Sequence, residues 1–228
     1  MDKASQTTIE VAAVQALEEA IPWHTVGIVA RSGEGIPEQG IGTDAAVEWH
    51  GHYIILTAKH VIQDTPHEEL RFFLRADGTL ETANVKDVNP ATIGLESRKR
   101  IPTRSVVLSD VEDIALLELD ATSTSIDNLR FHVLDRNIAT PPPSETVTVA
   151  GYPSDLGHVV ADGAMAVFLT MQATFVEQPR LLPNHDPSSH FLIKHEFATE
   201  DVRPHGLSGA GVWFRRIIAT GIWHANLQ

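Results

Sequence analysis

Apolar positions recur at helical spacing near the N-terminus and at strand-like spacing over the rest of the chain. Thr7-Thr8-Ile9-Glu10 fits a capping box in which Thr7 is the N-cap and Glu10 reaches back to it. Behind it the apolar side chains are three and four residues apart: Ile9, Ala12, Ala13, Ala16, Leu17 and Ala20. Pro22 is expected to end the run. The pattern predicts a short helix within residues 1–22 that packs on the body of the protein.

From Trp23 onward, short apolar runs alternate with turn-forming residues. The 15 glycines and 13 prolines are scattered, which suits short strands joined by turns. The Asp77-Gly78 dipeptide between two runs is a strong hairpin signal. Strands are predicted at 24–29, 45–49, 53–57, 71–75, 80–85, 106–108 and 114–119, and then at 146–150, 164–171, 174–177, 190–197, 212–214 and 217–223.

A proline-rich stretch separates the two sets of strands. Thr140-Pro141-Pro142-Pro143-Ser144 cannot enter a ladder of hydrogen bonds, because proline lacks the backbone N–H. We therefore predict a first domain over 23–120, a linker over 121–144 and a second domain over 145–228. Two similar sets of short strands favour two antiparallel barrels or sandwiches.

The composition of the chain excludes several classes of function. A net charge of −13 argues against binding to nucleic acid or to an anionic membrane. The chain has no cysteine, which excludes disulfides, cysteine-bound zinc and a thiol nucleophile. Residues 1–10 are polar and do not resemble a signal peptide, and no apolar run approaches the roughly 18 residues of a membrane span. These features predict a cytoplasmic protein.

Three separate stretches carry groups that could act together as a nucleophile and its base. His60 follows a predicted strand, Asp113 precedes another, and Ser208 lies among the glycines of Gly206-Leu207-Ser208-Gly209-Ala210-Gly211. A histidine can take the serine proton, and an acid can orient and stabilise that histidine. The glycines allow the backbone N–H groups of Gly206 and Ser208 to point at one developing oxyanion.

The same stretches resemble the three catalytic motifs of chymotrypsin-like (trypsin-like) serine peptidases. Thr57-Ala58-Lys59-His60-Val61 is similar to the histidine motif, Asp113-Ile114-Ala115-Leu116-Leu117 to the aspartate motif and Gly206-Leu207-Ser208-Gly209 to the serine motif. Gly151-Tyr152-Pro153 and Gly40-Ile41-Gly42-Thr43 resemble segments of the bacterial, Deg-like branch.

The resemblance implies an all-β fold of two six-stranded antiparallel β-barrels with the catalytic cleft between them. It implies a serine endopeptidase that cleaves polypeptides through an acyl-enzyme, without a cofactor, using His60, Asp113 and Ser208. Val202, His205 and His224 are expected to contact the substrate. Val202 near the base of the specificity pocket favours small or medium apolar residues, whereas Asp201 in that place would select Lys or Arg.

Several positions depart from the family pattern. Leu207 replaces the aspartate that captures a freed N-terminus, so activation by N-terminal cleavage is not expected. Ala210-Gly211 replaces the usual Gly-Pro. Family members continue beyond the strand predicted at 217–223 with a further strand and a helix, so the second barrel is expected to be incomplete. Its open edge could pair with a second copy, unless the N-terminal helix covers it or the chain is truncated.

Other functions were weighed against peptide hydrolysis. A catalytically inactive relative would keep the cleft as a peptide-binding or scaffold module, and an esterase would use the same triad on small acyl substrates. His50 and His52 have metal-like spacing, and His185, His190 and His195 form a second loose group. We interpret these as solvated or loop histidines and predict no metal site.

Overall fold

The computed structural model describes most of the predicted strands and the segments that carry the three motifs. It covers residues 11–12, 15–16, 19–29, 41–66, 70–73, 98–99, 103–122, 130–134, 146–154, 158–160, 163–165, 168–176, 192–195, 206–219 and 222–227. Helical residues 11–12, 15–16 and 19–24 precede the first strand. The strands are β1 Thr25–Val29, β2 Ile41–Trp49, β3 His52–Thr57, β4 Arg71–Phe73, β5 Arg98–Lys99, β6 Thr103–Leu108, β7 Ala115–Leu119, β8 His132–Val133, β9 Thr146–Gly151, β10 His158–Val160, β11 Gly163–Met165, β12 Leu169–Val176, β13 Leu192–His195, β14 Val212–Ala219 and β15 Ile222–Leu227. A helical turn, Lys59–Ile62, follows β3.

The first sheet has the strand order β5-β4-β1-β2-β3-β7-β6, and β8 pairs with β2 in parallel. All other pairs in this sheet are antiparallel. In β7 the alternate residues Ala115, Leu117 and Leu119 are buried, as the two-residue period of a strand requires. They pack with Ile28 and Ile55 in the core of this sheet.

The second sheet is antiparallel throughout, with the order β13-β12-β9-β14-β15. Its core is formed by Val147, Val149, Ala173 and Phe214. Strands β10 and β11 form a separate antiparallel pair. The confirmed fold class is therefore all-β with two antiparallel sheets. The described strands number eight in the first sheet and five in the second, where the resemblance implied six in each.

A shared apolar cluster joins the two sheets and the helix before β1. It combines Ile21 of the helix, Val47 and Ile54 of the first sheet, and Ala150 and Trp213 of the second. Trp213 is almost fully buried, and the rings of His24 and His132 lie against it, with ring centroids 5.8 and 5.1 Å away. Across the described segments, no helix is long and apolar enough to cross a membrane.

The helix continues through Pro22 to residue 24, so the prediction that Pro22 ends it and that His24 begins a strand was wrong. Ile21 and Pro22 are both buried, and the Thr25 hydroxyl donates to the carbonyl of Ile21 at 3.0 Å. This side-chain hydrogen bond satisfies a carbonyl at the helix end, and burial of Ile21 holds the last turn in place.

Further boundaries differ from the sequence prediction. Strand β12 runs unbroken through residues 172–173, where one strand was predicted to end and the next to begin, and β6 begins at Thr103 and not at residue 106. Strand β2 begins at Ile41 and not at the predicted residue 45, since β1 pairs along residues 41–45. The strand predicted at 217–223 is divided between β14 and β15, which reverse direction between Ala219 and Ile222. Strand β8 lies inside the predicted linker and joins the first sheet. The Asp77-Gly78 hairpin and the three consecutive prolines lie outside the described residues, and the domain division stays a prediction.

A carboxyl group is buried inside the first sheet. Asp44 of β2 has no exposed surface, and within the described part of the chain neither of its oxygens nor the Thr57 hydroxyl makes a hydrogen bond. Burial raises the pKa of Asp44 well above its ordinary value, and the neighbouring Thr57 hydroxyl opposes this shift without offsetting it. The folded protein therefore favours the neutral acid at this position.

We expect Asp44→Asn to make the protein more stable at pH 8. Because the pKa of Asp44 is higher in the folded state, the contribution of this carboxyl to stability is fully present below its unfolded pKa of ~4 and is lost as pH rises through the folded pKa. An amide cannot ionise, so the variant should escape this loss and gain about 1–3 kcal/mol in free energy of unfolding at pH 8. Urea unfolding at pH 5 and pH 8 measures the difference.

Asp120→Asn is the matched control, because the side-chain and backbone hydrogen bonds from Thr122 lower the pKa of Asp120. Asp120 is thus ionised in both folded and unfolded states from pH 5 to pH 8, and its replacement should leave the pH dependence unchanged. If the free energy of unfolding of Asp44→Asn changed with pH in the same way as that of the wild type, Asp44 would not be an uncharged buried acid.

Candidate active site

His60 and Asp113 form a hydrogen-bonded pair at the edge where β3 ends and β7 begins. The ring nitrogen Nδ1 of His60 lies 2.5 Å from Oδ2 of Asp113, and the backbone N–H of His60 donates to Oδ1 at 2.9 Å. The backbone N–H of Lys59 donates to the Asp113 carbonyl at 3.3 Å. One carboxylate therefore binds both the ring and the backbone of the same histidine, which fixes the orientation of its imidazole.

Strand pairing and a tight loop explain why these residues meet. Strands β3 and β7 are neighbours, with Thr57 opposite Ala115, so the residues just outside that pair approach each other. The loop before β7 is held by Ser109, whose N–H donates to the Ile114 carbonyl at 2.9 Å and whose hydroxyl accepts from the N–H of Glu112 at 3.0 Å. Lys59 Nζ donates to the Ser109 carbonyl at 2.7 Å and ties the loop to the helical turn.

The Asp113 carboxyl is held in its ionised form. Partial burial raises its pKa, but the hydrogen bonds from the His60 backbone and ring, the charge of His60 and the backbone of Lys59 together lower the pKa below its ordinary value. The His60 and Asp113 side chains remain 53% and 56% exposed. A carboxylate that accepts from Nδ1 leaves the opposite ring nitrogen of a neutral imidazole without a proton, as a general base requires.

Ser208 lies on a tight turn that begins and ends with glycine. Gly206 and Gly209 have φ angles of 85° and 84°, in the left-handed region that favours glycine. The N–H of Ala210 closes the turn by donating to the Leu207 carbonyl at 2.9 Å. Both glycines that the sequence analysis singled out at these positions are therefore required by the backbone conformation.

The turn is bound directly to the first sheet. The N–H of Thr43 donates to the Ser208 carbonyl at 3.2 Å, and the Thr43 hydroxyl donates to the Gly206 carbonyl at 2.7 Å. A Cβ on Gly209 would lie 2.2 Å from the Thr43 carbonyl oxygen and 3.0 Å from the Ala58 nitrogen, so the two backbones touch. Since Ala58 is two residues before His60, the Ser208 turn and the His60–Asp113 pair lie at the same end of β3.

The structure describes only some of the remaining predicted site residues. In the part of the chain that the structure describes, no hydrogen bond joins the Ser208 hydroxyl to His60. Val202 and His205 lie outside the described residues, and the backbone of His224 pairs with Arg216 within the β14–β15 hairpin. His52 contacts Glu118 at 2.8 Å, and no group of three potential metal ligands occurs among the described residues.

Sequence reasoning missed the role of Thr43. In the sequence, the Gly40-Ile41-Gly42-Thr43 run stands out only by its resemblance to a segment of the Deg-like branch. No local signal marks Thr43, because the two groups that its hydroxyl binds, at Gly206 and Tyr152, lie 163 and 109 positions away.

Solved structures similar to this chain are chymotrypsin-like serine proteases. A scabies mite inactivated protease paralogue, S-I1, has a TM-score of 0.51 at 17% identity, covering 87% of this chain and 83% of that one. A serine endoprotease from Yersinia pestis has a TM-score of 0.51 at 22% identity and covers 87% of this chain. Kallikrein-related peptidase 10, in complex with Zn²⁺, has a TM-score of 0.50 at 16% identity, covering 85% and 76%.

The two-sheet fold is therefore that of the chymotrypsin-like serine proteases. The chain spans about half the length of the Yersinia structure, of which 52% is matched. No protein-family model and no curated protein matches the chain.

Proposed function

We propose that this protein is a serine endopeptidase in which Ser208 is the nucleophile, His60 the general base and Asp113 the residue that orients His60. The observation that carries the proposal is the His60–Asp113 pair, with its 2.5 Å and 2.9 Å hydrogen bonds, at the strand end against which the Ser208 turn packs. This is the arrangement that serine hydrolysis needs, because a serine hydroxyl is a weak nucleophile without an oriented base.

The reaction proceeds in two stages. The Ser208 hydroxyl attacks the peptide carbonyl while His60 accepts its proton, and the N–H groups of Gly206 and Ser208 stabilise the resulting oxyanion. His60 then gives the proton to the leaving amine, which departs and leaves an acyl-enzyme. Water, deprotonated by His60, releases the acid product and restores Ser208. The first stage requires a hydrogen bond from the Ser208 hydroxyl to the His60 ring in the substrate complex.

The substrate is proposed to be a polypeptide with a small or medium apolar residue before the scissile bond, and Val202 and His205 are proposed to contact it. His224 is proposed to contact the same substrate. A cytoplasmic location, membership of the Deg-like branch and self-association through a sheet edge stay predictions.

A second candidate function is a catalytically inactive module that binds peptides in the same cleft. It is favoured by one observation, that no hydrogen bond joins the hydroxyl of Ser208 to the His60 ring among the described residues. One similar structure is an inactivated protease paralogue, so the fold does not require catalysis. Equal peptide affinity of wild type and Ser208→Ala, with no product from either, would select this function. Turnover of esters but not peptides would select an esterase.

Covalent labelling by a fluorophosphonate probe tests the proposed function. We expect the wild type to label, Ser208→Ala to lose labelling, and His60→Ala to label at least about 100-fold more slowly because the base is removed. Ser105→Ala is the matched control, since Ser105 is an exposed serine whose hydroxyl donates to Glu118 at 2.9 Å and should not react. A folded wild type that never labels would contradict the proposal.

A further inference from the structure

Thr43 joins three segments of the chain at a buried point behind the Ser208 turn. It belongs to β2 and has no exposed surface. Its hydroxyl donates to the Gly206 carbonyl at 2.7 Å and accepts from the backbone N–H of Tyr152, just after β9, at 2.8 Å. Its own N–H donates to the Ser208 carbonyl at 3.2 Å. This one hydroxyl therefore donates one hydrogen bond and accepts another, and the two backbone groups that it binds are far apart in the sequence.

The hydrogen bonds on the turn involve three consecutive carbonyls. Thr43 binds those of Gly206 and Ser208, and the N–H of Ala210 binds that of Leu207 between them. In a planar trans peptide the N–H of one residue points opposite to the carbonyl of the residue before it. Fixing the Leu207 carbonyl therefore fixes the N–H of Ser208, and the two bonds to Thr43 hold the peptide planes on either side of it.

Close packing leaves the Thr43 side chain little freedom to move. A Cβ on Gly151 would lie 2.4 Å from the Thr43 hydroxyl oxygen and 2.9 Å from a side-chain carbon of Leu207. The absence of a side chain at Gly151 thus leaves room for the side chains of Thr43 and Leu207. A hydroxyl held this way keeps the turn in one conformation before substrate arrives, and preorganised donors stabilise an oxyanion best because they need no rearrangement.

We propose that Thr43 is a positioning residue that holds the N–H of Ser208 in the orientation needed to bind the oxyanion. This inference rests on the proposed function. Thr43 contacts neither substrate nor the reacting atoms and acts through the turn, so its loss should slow the chemical step more than it weakens substrate binding.

The test compares Thr43→Val, Thr43→Ala and Thr43→Ser with a matched control, Thr25→Val. Thr25 is also a buried threonine of the first sheet, and its hydroxyl also donates to a backbone carbonyl, that of Ile21 at 3.0 Å, which belongs to the helix before β1 and not to the Ser208 turn. Peptide kcat and KM are measured per active site titrated with the fluorophosphonate, together with the labelling rate, the pH profile and amide exchange at Tyr152.

We expect Thr43→Val and Thr43→Ala to lose about 10- to 100-fold in kcat and in labelling rate, with KM changed less than about threefold. Thr43→Ser should keep most of the activity because it keeps the hydroxyl. The pH profile should not move, since the His60–Asp113 pair is untouched. The Tyr152 amide should exchange faster in Thr43→Val and Thr43→Ala but not in Thr25→Val. Thr43→Ala serves as the test if Thr43→Val does not fold.

Equal kcat for Thr43→Ala and Thr25→Val, in an enzyme whose wild type is active, would overturn the role of Thr43 and leave the proposed function intact. A loss in Thr43→Ser as large as that in Thr43→Ala would also overturn it, because the hydroxyl would then not be the cause. A folded wild type that neither labels nor cleaves peptides would reject the proposed function, and the role of Thr43 in the reaction with it.

Discussion

Asp113→Asn is expected to lower kcat by about 10³- to 10⁴-fold while the protein stays folded. The carboxylate accepts from both the backbone N–H and ring Nδ1 of His60, whereas an amide has only one accepting oxygen. If that oxygen stays on the backbone, the amide NH₂ faces Nδ1 and selects the tautomer with its proton on the other ring nitrogen. A histidine in that tautomer cannot accept the proton of Ser208.

Peptide turnover across pH 5 to 9 measures this effect, with Asp110→Asn as the control. Asp110 is an exposed aspartate in the same loop, so its replacement removes the same charge close to the site without touching His60. Because the pKa of Asp113 is already lowered, the loss in Asp113→Asn should persist throughout this pH range. A loss no greater than that of Asp110→Asn would show that Asp113 does not orient the base.

Gly209→Ala is expected to destabilise the protein by about 2–4 kcal/mol and to abolish measurable labelling of Ser208. The added Cβ would lie 2.2 Å from the Thr43 carbonyl oxygen and 3.1 Å from the Thr57 Cα, both in the backbone of the first sheet. Backbone atoms cannot swing aside as a flexible side chain can, so the serine turn must separate from β2. The φ angle of 84° adds a further cost for any residue with a Cβ.

Gly51→Ala measures the cost of a positive φ angle without the steric clash that Gly209→Ala also has. Gly51 has nearly the same φ angle, 82°, but a Cβ there would meet no atom within 4 Å. It should therefore lose only about 1–2 kcal/mol and label like the wild type. Thermal or urea unfolding of the two variants, followed by labelling of each, makes the comparison. Equal destabilisation of both would mean that the turn does not press against β2.

Much of the fold could be predicted from local sequence patterns. The strands predicted at 45–49, 53–57 and 114–119 all exist, because short apolar runs and the turn residues between them are local properties. The three motifs likewise marked the ends of elements, and the His60–Asp113 contact follows from the pairing of β3 with β7. Each of these inferences needed only a few neighbouring residues.

The features that sequence did not predict depend on partners far along the chain. The helix passes Pro22 because Ile21 packs against both sheets and Thr25 completes the hydrogen bonding of its last turn. Asp44 lies just before the strand predicted at 45–49, and only the assembled sheet shows that it belongs to β2 and is buried. Strand β14 extends to Ala219 because β15 pairs along it, which a short apolar run could not indicate.

The hydroxyl of Thr43 and the carbonyl that it binds at Gly206 are 163 positions apart. Closing so long a loop is entropically costly, and contacts of this range form late in folding. A polypeptide emerging from the ribosome carries His60 and Asp113 long before the partner of Thr43 has been synthesised. The Ser208 turn thus acquires its hydrogen bond to Thr43 only after the whole stretch from residue 43 to residue 206 has been synthesised.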